Sequence, residues 1–206
     1  GVALALVGCT NQGLRQTARQ VLLNEPAPAT GKFPRFQPLL QAGRGPALDV
    51  TITASGVRGG FLQEARQGTI ETWLGTDGVS LIFDRGLLHG TRGLGGGMLA
   101  SEVSASASAV LSGRSGEVER IHTFLNGNDM AITRAYRCTI TNEGSETITL
   151  DNGDATTRRM SEMCYNLDQE FKNIYWVDTR RGSIVKSQQW SGPYVGALDI
   201  LTVYNF

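Results

Sequence analysis

Hydrophobic and polar residues alternate along much of the chain from residue 48 onward, as they do in strands that turn one face toward a core. In the first such segment, Leu48, Val50 and Ile52 alternate with polar residues. Turn residues recur at roughly eight- to twelve-residue spacing, which is typical of sandwiches and barrels. The pattern predicts strands at 48–54, 69–74, 79–83, 117–125, 130–140, 146–150, 155–165, 173–178, 183–190 and 198–204. We therefore expect a mainly β protein, either an antiparallel β-sandwich or an open barrel.

Short turn sequences predict how several of these strands are connected. The turn Gly75–Gly78 contains Asp-Gly and joins the second and third predicted strands as a hairpin, and Asn126–Asp129 joins the fourth and fifth. A further turn at Asn142–Ser145 is expected to separate the fifth strand from the sixth. Serine and alanine alternate at 104–109, which fits both a strand and a helix, so 98–111 has no assignment.

The residues before the first strand have a different pattern. Apolar residues within 14–24 recur at helical spacing and predict a short N-terminal helix that Pro26 ends. This helix either lies on a bilayer or packs on its own domain, and its narrow apolar stripe favours packing. Residues 26–46 hold five of the six prolines, which predicts a stiff, largely extended tether. The expected organisation is an N-terminal segment over 9–46 followed by one β-rich domain over 47–206.

The first nine residues carry the clearest signal of location. An apolar run over 2–7 is followed by Gly8 and Cys9. This arrangement resembles the lipobox of a bacterial lipoprotein precursor, in which cleavage occurs before the cysteine and the thiol is then acylated. The resemblance implies that residues 1–8 are the end of a truncated signal peptide and that Cys9 carries the lipid. Thr10 stands where an aspartate would favour inner-membrane retention, so we expect outer-membrane sorting.

Composition narrows the class of protein further. The 206 residues suit one domain, and their net charge of zero without a basic cluster argues against nucleic acid as a partner. The chain has three cysteines, and lipidation of Cys9 leaves Cys138 and Cys164 as a pair. We hypothesise a disulfide between them, as expected in an oxidising periplasm. The alternative is two unpaired, buried thiols.

No catalytic motif is evident in the sequence. His89 and His122 are the only histidines and lie far apart, so we expect neither a metal site nor a cofactor. No serine occupies a Gly-x-Ser-x-Gly elbow, and the glycine-rich segment 90–97 lacks the Lys-Ser/Thr ending of a phosphate-binding loop. A glycosidase would need two facing carboxylates, and this possibility stays open.

Three tryptophans are candidates for contact with a glycan. Aromatic rings provide apolar surface for the C–H groups of sugars, and Trp73, Trp176 and Trp190 all lie on or beside predicted strands. The alternative is that these side chains pack in the core or on a sheet face, which is the more common fate of tryptophan on strands. We favour the packing interpretation.

Several segments resemble the group 4 capsule polysaccharide lipoproteins of the GfcB/YjbF type. The similarity lies in 72–81, 122–129, 134–138, 173–178 and 182–193. It implies a mostly β, outer-membrane lipoprotein that functions with capsule or exopolysaccharide export components. It also implies lipid at Cys9 and a cysteine pair at Cys138 and Cys164, and it transfers no catalytic residue.

These observations predict a protein attached by acyl chains to the periplasmic face of the outer membrane. Its expected role is that of a non-enzymatic accessory in polysaccharide export, in contact with envelope export proteins or with glycan. Two alternatives remain: a lipid- or glycan-binding carrier with a pocket in the sheet, and a polysaccharide-modifying enzyme. A large apolar cavity would favour the carrier, and two carboxylates converging in an exposed groove would favour the enzyme.

Overall fold

Twelve strands and two short helices make up the described part of the protein. The computed structural model describes residues 36–43, 45–126, 128 and 130–205. The helices are α1 (Phe36–Ala42) and α2 (Ser104–Ser112). The strands are β1 (Ala47–Ile52), β2 (Arg58–Gln67), β3 (Ile70–Gly75), β4 (Ser80–Asp84), β5 (Leu87–Arg92), β6 (Met98–Glu102), β7 (Gly116–Leu125), β8 (Ala131–Leu150), β9 (Gly153–Tyr165), β10 (Glu170–Asp178), β11 (Ser183–Trp190) and β12 (Ala197–Val203). Neither helix is long or apolar enough to cross a membrane.

All twelve strands belong to one antiparallel sheet with the order β5-β4-β3-β2-β1-β12-β11-β10-β9-β8-β7-β6. The two edge strands, β5 and β6, approach each other and are linked through side chains. The Met98 amide donates a hydrogen bond to Thr91 Oγ1 at 3.1 Å, and Arg92 Nη1 donates to the Leu99 carbonyl at 3.3 Å. The sheet is therefore a nearly closed barrel, which confirms the open-barrel form of the predicted fold.

The two predicted hairpins are present at the predicted turns. β3 pairs with β4 around the 75–78 turn, and β7 pairs with β8 around 126–129. Along β8, Tyr136, Cys138 and Ile140 are buried while the residues between them are exposed, as the alternation predicts. Local patterning was sufficient here because a hairpin needs only neighbouring residues.

Three sequence expectations differ from the structure. The turn expected at Asn142–Ser145 is a bulge inside the continuous strand β8, with Gly144 at φ 98° absorbing the extra residue. Helix α1 lies within the segment expected to be extended, and Pro38 is tolerated because it occupies the first helical turn. Strands β2 and β5 were not predicted, because β2 is mostly polar and glycine-rich and β5 runs into the glycine-rich segment 90–97. The predicted helix at 14–24 lies outside the described residues.

One side of the barrel encloses an apolar core. Inward-facing side chains of β1–β5 and β12 form this cluster, in which every member is at most 8% exposed: Leu48, Val50, Phe61, Trp73, Leu81, Phe83, Leu88, Leu198 and Ile200. From β11, the buried Gln189 side chain reaches β5, where it accepts from the Leu88 amide at 2.7 Å and donates to the Gly86 carbonyl at 2.9 Å. The interior is thus filled by side chains on this side.

Helix α2 covers the other side, and it lies in the region that had no assignment from sequence. Its small residues Ala107 and Val110 are completely buried against a cluster that includes Ile140, Met160 and Tyr175. The helix ends at Gly113, whose φ of 76° is the left-handed conformation of a helix C-cap. Alanine and serine along α2 permit a close approach to the sheet, and this approach brings Ser106 to a buried polar site.

Candidate functional site

A fully buried ion pair lies beneath α2. Arg120 on β7 and Glu162 on β9 are 1% and 0% exposed, with 2.6 Å between Arg120 Nη1 and Glu162 Oε2. Glu162 also accepts from Tyr175 Oη at 2.7 Å, from Asn173 Nδ2 at 2.9 Å and from Ser106 Oγ at 2.5 Å. We call these five residues the polar network. Buried charges of this kind persist when they are paired and hydrogen-bonded. Here Arg120 Nη1 and the Glu162 carboxylate have partners, and Arg120 Nε has none among the described residues.

The network sets the ionisation of its members. Burial alone would raise the pKa of the Glu162 carboxyl, but the Arg120 guanidinium and three hydrogen bonds outweigh burial and hold this pKa below its ordinary value. Burial and the neighbouring Glu162 carboxylate raise the pKa of the Tyr175 phenol well above its ordinary value. Glu162 is therefore ionised and Tyr175 neutral at pH 7. Because both are enclosed, neither can touch a substrate.

His122 lies next to this network, inside a cluster of four aromatic side chains. Its ring centroid is 5.1–5.8 Å from those of Phe124, Tyr136, Phe171 and Trp190. Neither ring nitrogen has a hydrogen-bond partner among the residues that the structure describes. Burial, followed by the positive charge of Arg120, lowers the pKa of His122 well below its ordinary value. The imidazole is therefore neutral and serves as an aromatic packing element at pH 7.

The two cysteines predicted to pair are joined in the structure. Cys138 on β8 and Cys164 on β9 are directly opposite each other in the sheet register and form a disulfide. Their sulfurs and a Glu162 carboxylate oxygen lie within 4.8 Å of one another. This cluster is nevertheless a poor metal site, because the sulfurs are bonded to each other and Glu162 is engaged by Arg120.

Two cavities flank the apolar core, one at each end of the barrel. The first, which we call the tryptophan cleft, has a volume of about 230 Å³ and is bordered by Gln63, Arg66, Glu71 and Trp73. The second measures about 260 Å³ and is lined mainly by apolar side chains of the opposite strand ends, together with Gly59, Gly60 and Gly75. The core residues between them separate the two cavities.

The three candidate tryptophans do not share one groove. Trp73 borders the tryptophan cleft, Trp190 stacks on Phe171 with 4.4 Å between ring centroids, and Trp176 packs with a third cluster. Trp176 also donates to Glu146 Oε2 at 2.9 Å, and its ring lies 4.4 Å from Lys186 Nζ. Of the three, Trp73 borders one of the two cavities described above, whereas Trp176 and Trp190 pack against neighbouring side chains. Cys9 lies outside the described residues.

Two carboxylates do share an open groove, on the outer face of β1 and β12. Asp49 and Asp199 both border a groove of about 600 Å³. Asp49 is bound by the Arg58 guanidinium, and Asp199 accepts from Thr53 Oγ1 at 3.0 Å and from Gln188 Nε2 at 2.8 Å. Each carboxylate is thus held in place by neighbouring side chains on the sheet surface.

Comparison with known proteins places this architecture in a family. The family model for the group 4 capsule polysaccharide lipoproteins, GfcB and YjbF, matches residues 44–203. The chain belongs to this family. A solved structure, the hypothetical lipoprotein YmcC from Escherichia coli K12, has a TM-score of 0.70 at 16% sequence identity, with 100% of this chain and 99% of that chain covered. At that identity the likeness concerns the fold. No curated protein sequence matches the chain.

Family membership agrees with the resemblance seen in sequence, whereas the polar network was missed entirely. The sequence does contain a signal for it. Every second residue of the predicted strand 117–125 lies on the same face, and on one face these residues are Val118, Arg120, His122 and Phe124. An arginine and a histidine on an inward-facing row indicate buried polar contacts. Their partner Glu162 could not be identified, because it lies on β9, and its position relative to β7 depends on the registers of two successive strand pairs.

Proposed function

We propose that this chain is a lipoprotein anchored through acyl chains at Cys9 to the periplasmic face of the outer membrane. There it acts as a non-enzymatic accessory in the export or assembly of capsule polysaccharide or exopolysaccharide. The family match over 44–203 carries this proposal, because the family is defined as capsule polysaccharide lipoproteins. Two or three acyl chains would hold the protein firmly, since each buried CH₂ contributes about 0.8 kcal/mol.

The site geometry supports an accessory role over catalysis. The Glu162 carboxylate is 0% exposed and is bound by four side chains, so it cannot contact a polysaccharide. The open groove with Asp49 and Asp199 engages both carboxylates in side-chain contacts.

The cavities also argue against a carrier that encloses a lipid. The two cavities at the barrel ends measure about 230 and 260 Å³, below the roughly 300–1,000 Å³ typical of sites that enclose a drug-sized ligand. The apolar core between them is filled by buried side chains. On this side of the barrel, these side chains occupy the space that an acyl chain would need.

The anchor is tested by Cys9→Ser in the full precursor, expressed in its host. We expect this variant in the soluble periplasmic fraction and the wild-type protein in the outer-membrane fraction. Thr10→Ser is the matched control, because it changes the neighbouring residue and keeps the thiol. A Cys9→Ser protein that still fractionates with the outer membrane would show that the anchor is elsewhere.

The accessory role is tested by affinity capture of the tagged wild-type protein from envelope extracts. We expect polysaccharide-export proteins to copurify with it, and we expect less of them with Cys9→Ser. Export that continues at the wild-type rate in a strain lacking the protein would contradict the proposed role. Capsule on intact cells, measured by an anti-capsule antibody, provides that comparison.

A further inference from the structure

The tryptophan cleft combines an aromatic wall with fixed polar groups at its rim. In the β2–β3 register, Gln63 lies opposite Trp73, and Arg66 lies opposite Glu71. A β-bulge between Gln63 and Ala65 makes this arrangement possible. The extra residue in β2 places Gln63 and Arg66 on the same face of the sheet. Bulges next to a cavity often redirect side chains toward a ligand.

The carboxylate at this rim is oriented but retains acceptor capacity. The Trp73 indole N–H donates to Glu71 Oε2 at 3.2 Å, and Arg66 Nη1 is 3.5 Å from Glu71 Oε1. A carboxylate has about four acceptor positions, and these two contacts leave others available. The Gln63 amide is half-buried and makes no side-chain hydrogen bond in the described part of the protein.

The opposite wall of the cleft contributes Thr202 and Tyr204 from the end of the β12 segment. Lys186 also borders the cleft, but its ammonium lies over the Trp176 ring at 4.4 Å. Arg66 and Glu71 form an ion pair at the rim, and Lys186 leaves one positive charge in excess among the lining residues. The polar groups of the rim suit a ligand rich in hydroxyl groups.

The cleft is closed at its inner end. Leu48, Phe83 and Ile200 are core residues and also line the cavity, so the apolar core forms its floor. A polymer cannot pass through a cavity of this kind. With a volume of about 230 Å³, it is suited to one small ring rather than to an extended chain.

We propose that the tryptophan cleft binds a single pyranose residue, at the end or on a side branch of a polysaccharide chain. Trp73 is 5% exposed and contributes a small part of its ring, while the half-buried Tyr204 adds apolar surface for the C–H groups of the sugar. Glu71 and Gln63 bind the hydroxyl groups of the sugar. The inference rests on the proposed function for the choice of polysaccharide as ligand. The proposal that the cleft binds a sugar is based on the geometry of the cleft.

The test is calorimetric titration with di- to tetrasaccharides released by partial acid hydrolysis of the host's own exopolysaccharide. We expect the wild-type protein to bind, and Glu71→Gln to bind about tenfold more weakly, because it loses a charged acceptor for the sugar hydroxyls. The matched control is Glu119→Gln on the exposed face of β7, which should bind like the wild-type protein.

A second measurement keeps the test independent of variant stability. In the folded wild-type protein, saturation of the sugar protons in an NMR experiment should transfer to the Trp73 indole and leave that of Trp176 unaffected. Absence of wild-type binding, or equal binding by Glu71→Gln, would overturn the proposal. Neither result would bear on the lipid anchor, which the fractionation of Cys9→Ser tests separately.

Discussion

The two sides of the barrel are stabilised in different ways. On the side formed by β1–β5 and β12, the interior is a continuous apolar cluster that includes the fully buried Leu81 and Leu88. On the side formed by β7, β9 and β10, Arg120 and Glu162 occupy equally buried positions. The apolar side gains stability from burial itself, whereas the polar side depends on every partner of the network being present.

This difference determines what each side contributes to the structure. An apolar cluster accepts several arrangements of similar volume, but a buried ion pair has few satisfactory geometries. Because Ser106 of α2 donates to Glu162, the network fixes the position of the helix on the sheet. We hypothesise that the network specifies this docking rather than adding net stability.

The largest expected effect comes from removing one member of the ion pair. Glu162→Gln keeps the side-chain volume but leaves the buried Arg120 charge without a counterion, so we expect a loss of about 3–5 kcal/mol in the free energy of unfolding. Urea denaturation at pH 7 measures this loss. The double variant Arg120→Met with Glu162→Met should be less destabilised than the single variant, because no buried charge remains.

Glu162→Gln should also change how the free energy of unfolding depends on pH in acid. The folded-state pKa of Glu162 lies below the ordinary value of 4.5, so its contribution is complete above that pH and is lost as pH falls toward the folded-state value. We expect wild-type stability to fall in this window, and Glu162→Gln to lose this part of the dependence. A loss of under about 1 kcal/mol at pH 7 would show that the pair is not critical.

Substitutions on the apolar side should lower stability because side-chain volume is lost, and not because a charge is changed. Leu81→Ala removes a completely buried side chain from the cluster, and we expect a loss of about 3 kcal/mol, of the same size at pH 5 and pH 7. Leu167→Ala, at a position that is 102% exposed, is the control and should stay within about 0.5 kcal/mol of the wild-type protein. A pH-dependent loss in Leu81→Ala would contradict the division between the two sides.

Local patterning predicted most of the strands because alternation and turn residues act within a few positions. It failed where the pattern was broken. The sequence of β2 contains Gly59, Gly60 and several polar residues, and the segment at 142–145 has turn-forming residues that the sheet accommodates as a bulge. In both places, pairing with neighbouring strands overrides the local preference.

The candidate sites were predictable only in part. Trp73 was a candidate from sequence, but its pairing with Gln63 and the orientation of Glu71 depend on the β2–β3 register. Likewise, Arg120 was recognisable as an inward-facing residue, whereas Glu162 required the order of β7, β8 and β9. Both contacts depend on the exact register of paired strands, which no short stretch of the chain encodes.

The smallest expected effect concerns His122, which lies among aromatic rings next to the ion pair, and its contribution to the pH dependence of stability. In the unfolded chain His122 titrates near its ordinary value of 6.5, whereas burial and then Arg120 lower the folded-state pKa well below that. Below pH 6.5 the unfolded chain therefore binds a proton that the folded protein does not. Stability should fall as pH decreases, by up to about 1.4 kcal/mol per pH unit.

His122→Phe should remove this dependence, because phenylalanine fits among the same aromatic rings and carries no titrating group. We expect its stability at pH 7 to stay within about 1.5 kcal/mol of the wild-type protein, since the volume is nearly conserved and two unpartnered nitrogens are removed. Thermal unfolding between pH 5 and 7 measures the slope, and Leu81→Ala should keep the wild-type slope. If His122→Phe keeps that slope as well, the imidazole is not the group that makes the polar side sensitive to mild acid.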